Sequence, residues 1–112
     1  MTRVIEAADL TRGGTVARFE GADHGAPVSL FAGDIAPGKG PVLHRHPYEE
    51  TFVLQAGTAT FTVDGEAVEA GAGQIVVVPA GAAHRFVVSG AQPLRFVSIH
   101  PAARMVQEDL ED

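Results

Sequence analysis

Three of the five histidines in this 112-residue sequence could join one glutamate in binding a metal ion. His44 and His46 are two residues apart, so both imidazoles lie on the same face if this segment is an extended strand. Glu50 opens the next predicted strand, where an inward carboxylate could complete the same site. His84 begins a later strand after a Pro-Ala-Gly turn and could supply a third imidazole. The pattern predicts one ion held by imidazole and carboxylate groups.

Each of these residues also has an ordinary interpretation. A single histidine at a strand end is more often a surface or hydrogen-bonded residue than a ligand, so the prediction depends on the three occurring together. Glu49 stands beside Glu50 and carries the same carboxylate, which makes it a rival ligand. Tyr48 could donate a proton to a bound substrate, although a tyrosine near the protein surface commonly packs with its hydroxyl in water.

The composition excludes several other kinds of site. The sequence has no cysteine, which rules out disulfides and thiolate metal ligands. Eight basic residues against 14 acidic ones give a net charge of −6, and the basic residues are scattered, so we expect no nucleic-acid partner. Residues 1–10 lack the features of a signal peptide, and no apolar run is long enough to span a membrane. We expect a cytoplasmic protein; a secreted protein trimmed of its signal is the alternative.

Short apolar segments interrupted by glycine and proline run along the chain, which is typical of an all-β sandwich or barrel. Asp64-Gly65 is the clearest hairpin signal, because a two-residue type I′ turn needs positive φ at both positions. Residues 74–78 are apolar on both faces, which predicts a strand buried between two layers. Residues 84–89 and 94–100 follow with a similar apolar pattern. The tail, 101–112, could be helical or extended, because acids at its end oppose a helix dipole. The predicted strands are 28–36, 50–56, 58–63, 66–70, 74–78, 84–89 and 94–100.

Two segments, residues 38–57 and 73–88, have glycine, proline and histidine at regular spacing. The first fits G-x5-H-x-H-x3-E-x6-G at Gly38, His44, His46, Glu50 and Gly57. The second fits G-x5-P-x-G-x2-H-x3-N at Gly73, Pro79, Gly81 and His84, while Val88 replaces the final asparagine. These patterns resemble the two motifs of the cupin superfamily. Residues 1–112 are therefore identified as one cupin domain, similar to small single-domain bacterial members, with 101–112 as a C-terminal tail.

The resemblance implies both a fold and a set of ligands. The fold is a cupin-type double-stranded β-helix, or jelly-roll barrel, of conical shape. Its metal would be held by His44, His46, Glu50 and His84, with one or two positions left for water or substrate. The motif selects Glu50 over Glu49, which should then face outward by alternation. The ion would be one divalent transition metal, since iron, manganese, nickel, copper and zinc all suit such ligands.

Apolar residues should surround this site. Four of them share the faces of Glu50 and His84 and would form a cavity wall, namely Phe52, Leu54, Phe86 and Val88. Such a wall suits a small organic molecule better than a strongly charged one, although the same residues would also serve as ordinary core. His24 and His100 lie outside both motifs, so we expect them to be structural or exposed.

Three classes of function are compatible with these features. The first is a metal-dependent enzyme acting on a small organic molecule, either dioxygenase-like or an isomerase, cyclase or lyase working through an enolate on the metal. The second is a non-catalytic barrel that binds a sugar or another small ligand, and the third is a non-catalytic metal-binding protein. The complete ligand set and the apolar cavity favour the enzyme. We also expect a homodimer, because strands with apolar outer faces need covering.

Overall fold

The protein consists of two antiparallel β-sheets that face each other. The computed structural model describes residues 2–111, in which ten strands and two short 3₁₀ turns, Ala7–Leu10 and Gly21–Asp23, follow one another. The strands are β1 (Val16–Glu20), β2 (Ser29–Ile35), β3 (His44–Arg45), β4 (Glu50–Ala56), β5 (Thr58–Val63), β6 (Glu66–Gly71), β7 (Ile75–Val78), β8 (His84–Ser89), β9 (Leu94–His100) and β10 (Glu108–Asp109).

The chain passes repeatedly from one sheet to the other. The first sheet has the strand order β1-β2-β9-β4-β7, and the second has the order β10-β3-β8-β5-β6. Consecutive strands such as β3 and β4, or β8 and β9, therefore lie in different sheets. The predicted all-β class and cupin-type barrel are confirmed.

Aromatic side chains fill the space between the sheets. Phe52 and Phe96 come from the first sheet, Phe61 and Phe86 from the second, and all four are buried. The rings of Phe52 and Phe61 are 5.1 Å apart in an edge-to-face arrangement, which is a favoured geometry for aromatic pairs. Because side chains alternate along β4, the same inward face that carries Phe52 also carries Glu50. The core thus forms the floor beneath the polar residues.

Most strand predictions agree with the structure. The bounds of β4, β5, β8 and β9 are those predicted. β6 and β7 differ by one residue at one end, and β2 is shorter by one residue at each end. Asp64 and Gly65 have φ values of 48° and 83°, as a type I′ turn requires. Gly57, the last residue of the first motif, has a φ of 80°, and a Cβ there would lie 2.3 Å from the Pro93 carbonyl oxygen. Only glycine fits that position.

The prediction that 74–78 is a strand buried between two layers is wrong. β7 is an edge strand of the first sheet, and it alternates instead of being buried on both faces. Val78 packs in the core, whereas Ile75 and Val77 are 64% and 61% exposed. β8 and β9 alternate in the same way, with Arg85 and Arg95 facing outward. Within residues 2–111, no further layer covers the outer face at β7.

The tail is extended rather than helical through Glu111. Its strand β10 pairs with β3, so that Glu108 lies opposite Arg45 and Asp109 opposite His44. Met1 and Asp112, the ends of the predicted domain, lie outside the described residues. No helix among residues 2–111 is long and apolar enough to cross a membrane. The expected cytoplasmic location stays a prediction.

Candidate metal centre

Four polar side chains meet at the end of the barrel where β4 and β8 begin. His44 on β3 lies directly opposite His84 on β8, His46 follows β3, and Glu50 is the first residue of β4. Each is at most 5% exposed, and one donor atom from each lies within 4.8 Å of the others. Glu49 faces outward and is exposed, as expected. The structure therefore brings together the four residues that the sequence singled out.

Backbone carbonyl groups fix the orientation of three imidazoles. The Nδ1 atoms of His44, His46 and His84 lie 2.6, 2.7 and 2.9 Å from the carbonyl oxygens of Val42, Val106 and Ala82. A carbonyl oxygen can only accept a hydrogen bond, so each Nδ1 carries the proton. Each neutral ring then presents the lone pair of Nε2. An outer carbonyl partner of this kind is characteristic of histidines that bind metals.

The Nε2 atoms converge on the Glu50 carboxylate. Oε1 of Glu50 lies 3.1 Å from Nε2 of His46 and 3.0 Å from Nε2 of His84. The Nε2 atom of His46 is buried and makes no hydrogen bond of good geometry. Bare nitrogen lone pairs facing a carboxylate repel it unless a proton or a metal ion lies between them. Adjacent donors about 3 Å apart also suit an ion with bonds of about 2.1 Å, so these residues fit a transition metal.

The charges of the site shift the pKa values of its members. Burial would raise the pKa of Glu50, but at the acidic pH where a carboxyl group titrates the imidazoles are protonated. Hydrogen bonds from His100, His46 and His84 then outweigh burial and hold the pKa of this carboxyl well below its ordinary value. Burial lowers the pKa of His44. Burial also opposes the charged form of His46, yet the Glu50 carboxylate and the Val106 carbonyl group raise its pKa. Glu50 is thus anionic, and a proton competes with a metal more strongly at His46 than at His44.

A fifth residue of the site, His100, was missed by the sequence reasoning. It is the last residue of β9, is fully buried, and places Nε2 3.2 Å from Oε2 of Glu50. The sequence predicts a structural or exposed role for His100, because this residue lies outside both motifs. The alternation of β9 was the available signal, since it puts His100 on the same inward face as Phe96. His24, the other histidine outside the motifs, stacks on Phe19 with ring centres 4.8 Å apart.

Tyr48 lies beside the site, with its hydroxyl group engaged by protein atoms. The hydroxyl oxygen is 2.7 Å from Nδ1 of His100 and accepts a hydrogen bond from the Val106 amide at 3.2 Å. The Tyr48 ring stacks on the His46 ring at an interplanar angle of 7°. Tyr48 is not among the residues that line the cavity described next. Its role as a catalytic proton donor stays a prediction.

A cavity of about 230 Å³ opens beside the cluster. His44, His46 and Glu50 form one side of it. Of the predicted wall residues, Phe52 and Phe86 line the cavity, while Leu54 and Val88 lie outside the lining, buried in the core. The lining residues that the sequence reasoning missed are Val16, Phe31, Ile35, Pro41, Phe96, Ser98 and Gln107. None of the lining residues described is a lysine or an arginine, so the cavity is apolar apart from the cluster, Ser98 and Gln107.

Comparison with known proteins agrees with this geometry. Residues 32–100 match the cupin domain family. This chain belongs to the cupin family. Among curated proteins, the cupin is 26% identical over 94 residues to mannose-1-phosphate guanylyltransferase of Escherichia coli strain K12, covering 83% of this chain and 20% of that protein. The enzyme of the same name from Salmonella typhimurium gives the same values. The cupin thus spans only about a fifth of these relatives.

Solved structures similar to the cupin include two oxalate enzymes. An oxalate decarboxylase of Bacillus subtilis superposes with a TM-score of 0.76 at 25% identity, covering 85% of this chain and 27% of that one. This decarboxylase has Mn(II) centres. An oxalate oxidase superposes with a TM-score of 0.74 at 20% identity, covering 85% of this chain and 54% of that one, and shows the shared fold. The fold and the buried cluster together point to a divalent metal.

We predict that Glu50 and Glu49 differ sharply in their effect on metal binding. Glu50→Gln removes the buried anion, so Co(II) affinity measured by calorimetry should fall sharply. Loss of a group that only hydrogen-bonds to a metal ligand costs roughly 10- to 100-fold, and the loss of Glu50 itself should cost more. Glu49→Gln changes an exposed neighbour and should leave the affinity within about twofold of the wild type. Equal losses in the two variants would contradict the assignment of Glu50.

Metal affinity should also depend on pH. The imidazoles must be neutral to bind a metal, and the raised pKa of His46 means that a proton already occupies this ring at mildly acidic pH. Affinity should therefore fall about tenfold per pH unit for each proton displaced, and the fall should begin above about pH 6.5, the ordinary pKa of an imidazole. Because the pKa of His44 is lowered, protonation of this ring weakens metal binding further only at lower pH. Calorimetric Co(II) affinity that stays flat from about pH 8 to about pH 5 would show that other ligands bind the metal.

Proposed function

We propose that this cupin is a metal-dependent enzyme that acts on a small organic molecule. His44, His46, Glu50 and His84 would hold one divalent transition metal ion. The proposal depends on how the three imidazoles are held. The Nδ1 atom of each ring is fixed by a carbonyl group. The Nε2 atoms of His46 and His84 each lie within 3.1 Å of one buried oxygen of Glu50. The Mn(II) centres of the similar oxalate decarboxylase support a divalent ion.

The cavity supports a small and largely apolar substrate. Its volume of about 230 Å³ is below the roughly 300 to 1,000 Å³ of typical ligand pockets. Phe31, Phe52, Phe86 and Phe96 line it, and no lysine or arginine among the described residues faces it. If a dianion such as oxalate bound the metal through one carboxylate, no basic side chain would be there to pair with the other carboxylate. A small diketone, with two oxygens at one end and alkyl groups at the other, matches this cavity better.

The metal would supply Lewis-acid or oxygen chemistry when bound, so the reaction is dioxygenase-like or an isomerase, cyclase or lyase reaction. The residues of the chain would place the substrate at the metal and exclude water. The phenylalanines would pack on the apolar part of the substrate and leave its oxygens facing His44, His46 and Glu50. Dry surroundings strengthen the interaction between the charges of the site and the polarised substrate.

Metal analysis followed by activity assays tests this proposal. Cupin purified without added metal should contain about one transition metal ion per chain, and the loaded protein should convert small 1,3-diketones faster than the bulkier flavonols. Iron or copper with oxygen uptake supports a dioxygenase; manganese, zinc or nickel with conversion but no oxygen uptake supports an isomerase or lyase. Glu50→Gln is the matched control, with the fold intact and the activity lost.

One result would contradict the proposed enzymatic activity and favour a non-catalytic function. If metal-loaded cupin bound diketones or sugars, as shown by calorimetry, but left every one of them unchanged, the protein would be a non-catalytic ligand-binding barrel. The engagement of the Tyr48 hydroxyl by His100 and Val106 is the observation that favours this alternative, because it keeps the Tyr48 proton from serving a substrate in the cavity.

We further propose that the cupin forms a homodimer through the outer face of the first sheet. Strand register places Val97, Val53 and Ile75 in one row across β9, β4 and β7. The neighbouring row has Ile99 and Val77 on either side of Thr51. These two rows form a largely apolar band, interrupted at Thr51, on a sheet whose outer face the described chain leaves uncovered at β7. An exposed apolar band of this kind is typical of an association surface.

Sedimentation at micromolar concentration tests the homodimer. Wild-type cupin should sediment as a dimer, and Val77→Asp should convert it to a monomer, because a carboxylate would be buried in the interface without a partner. Val68→Asp is the matched control: Val68 is 53% exposed on β6 of the other sheet, and this variant should stay dimeric. A wild-type monomer at this concentration would contradict the proposal.

A further inference from the structure

His100 differs from the three histidines of the predicted ligand set in the partner of its Nδ1 atom. In His44, His46 and His84 this atom faces a carbonyl oxygen, whereas in His100 it lies 2.7 Å from the Tyr48 hydroxyl oxygen. A hydroxyl group can donate as well as accept. The Nδ1 atom of His100 is therefore free to be an acceptor, which the other three cannot be.

Two contacts decide where the proton of His100 lies. The Tyr48 oxygen already accepts the Val106 N–H at 3.2 Å, so its own proton is available for His100 Nδ1. At the far side of the ring, Nε2 lies 3.2 Å from Oε2 of Glu50, at an angle off the ideal for a hydrogen bond. A bare Nε2 would repel this carboxylate, whereas an Nε2–H group attracts it. Both contacts are satisfied when Tyr48 donates to Nδ1 and His100 carries its proton on Nε2.

The two oxygens of Glu50 then have different surroundings. Oε1 faces the Nε2 atoms of His46 and His84, and Oε2 faces His100. Since Glu50 is only 4% exposed, Oε2 has little contact with water and depends on His100 for a proton donor. A buried carboxylate oxygen without a donor is costly, so His100 stabilises one orientation of the carboxylate.

We propose that His100 is a positioning residue that, with its tautomer set by Tyr48, holds Oε2 of Glu50 and leaves Oε1 alone to bind the metal. This proposal rests on the metal site proposed above. A carboxylate that binds through one oxygen occupies one coordination position rather than two, and the position that is saved is open to the substrate. His100 would thereby set both the affinity for the metal and the number of open positions.

Co(II) titrations of matched variants test the role of His100. His100→Leu keeps a similar volume without a donor, and it should lower Co(II) affinity about 10- to 100-fold, the usual effect of losing an outer partner. The visible Co(II) spectrum of this variant should weaken as the coordination number rises, because Glu50 is free to bind through both oxygens. His100→Gln keeps an N–H donor and should return the affinity and the spectrum most of the way to those of the wild type.

Two further measurements separate positioning from general stability. Nitrogen NMR of the wild type without metal should show His100 protonated at Nε2 and His44 protonated at Nδ1. Tyr48→Phe should weaken the preference of the His100 proton for Nε2. His24→Leu replaces a histidine away from the site and should leave Co(II) affinity and spectrum unchanged. Thermal unfolding of every variant shows whether a loss of affinity is a loss of fold.

The outcomes distinguish this proposal from the one on which it rests. If the wild type binds no Co(II), the metal site itself is wrong. If the wild type binds Co(II) and folded His100→Leu binds it with the same affinity and spectrum, the metal site stands and the role of His100 is overturned. A His100 ring protonated at Nδ1 in the wild type, or a His100→Gln variant no better than His100→Leu, also overturns it.

Discussion

The burial of one carboxylate among four imidazoles is the constraint on which the site depends. Glu50 and His100 are at most 4% exposed, and a buried charge is tolerated only where its surroundings compensate it. Hydrogen-bonding groups from several parts of the chain provide this compensation. The carbonyl groups of Val42 and Ala82 each accept a hydrogen bond from the imidazole two residues later, while Val106 reaches His46 from the C-terminal segment. The pairing of β10 with β3 therefore belongs to the site as well as to the fold.

The aromatic core gives the cluster a rigid and dry base. Phe52 and Phe86 are both core residues and lining residues, so the packing that holds the two sheets together also shapes the cavity. The division between a polar end and an apolar interior follows from alternation along β4, where Glu50 and Phe52 share one face. A substrate at this position would meet the polar cluster on one side and aromatic rings on the others.

The sequence predicted the parts of the site that depend on local spacing. His44 and His46 share a face, and Glu50 is buried while Glu49 is exposed, because alternation within a strand is a local property. Alternation along β9 indicates that His100 faces inward, but its place beside Glu50 comes from the pairing of β9 with β4, which no local pattern reveals. The burial predicted for 74–78 was wrong for a related reason. An apolar run is compatible with a central or an edge strand, and the sheet order decides which of these forms.

Anomalous diffraction tests the central claim that these residues bind one metal ion. Crystals of protein purified without added metal should give one anomalous peak per chain at the absorption edge of a transition metal. The peak should lie about 2.0 to 2.2 Å from the Nε2 atoms of His44, His46 and His84 and from one oxygen of Glu50. No peak after soaking in Co(II), or a peak bound by other side chains while the four residues keep their contacts, would contradict the account.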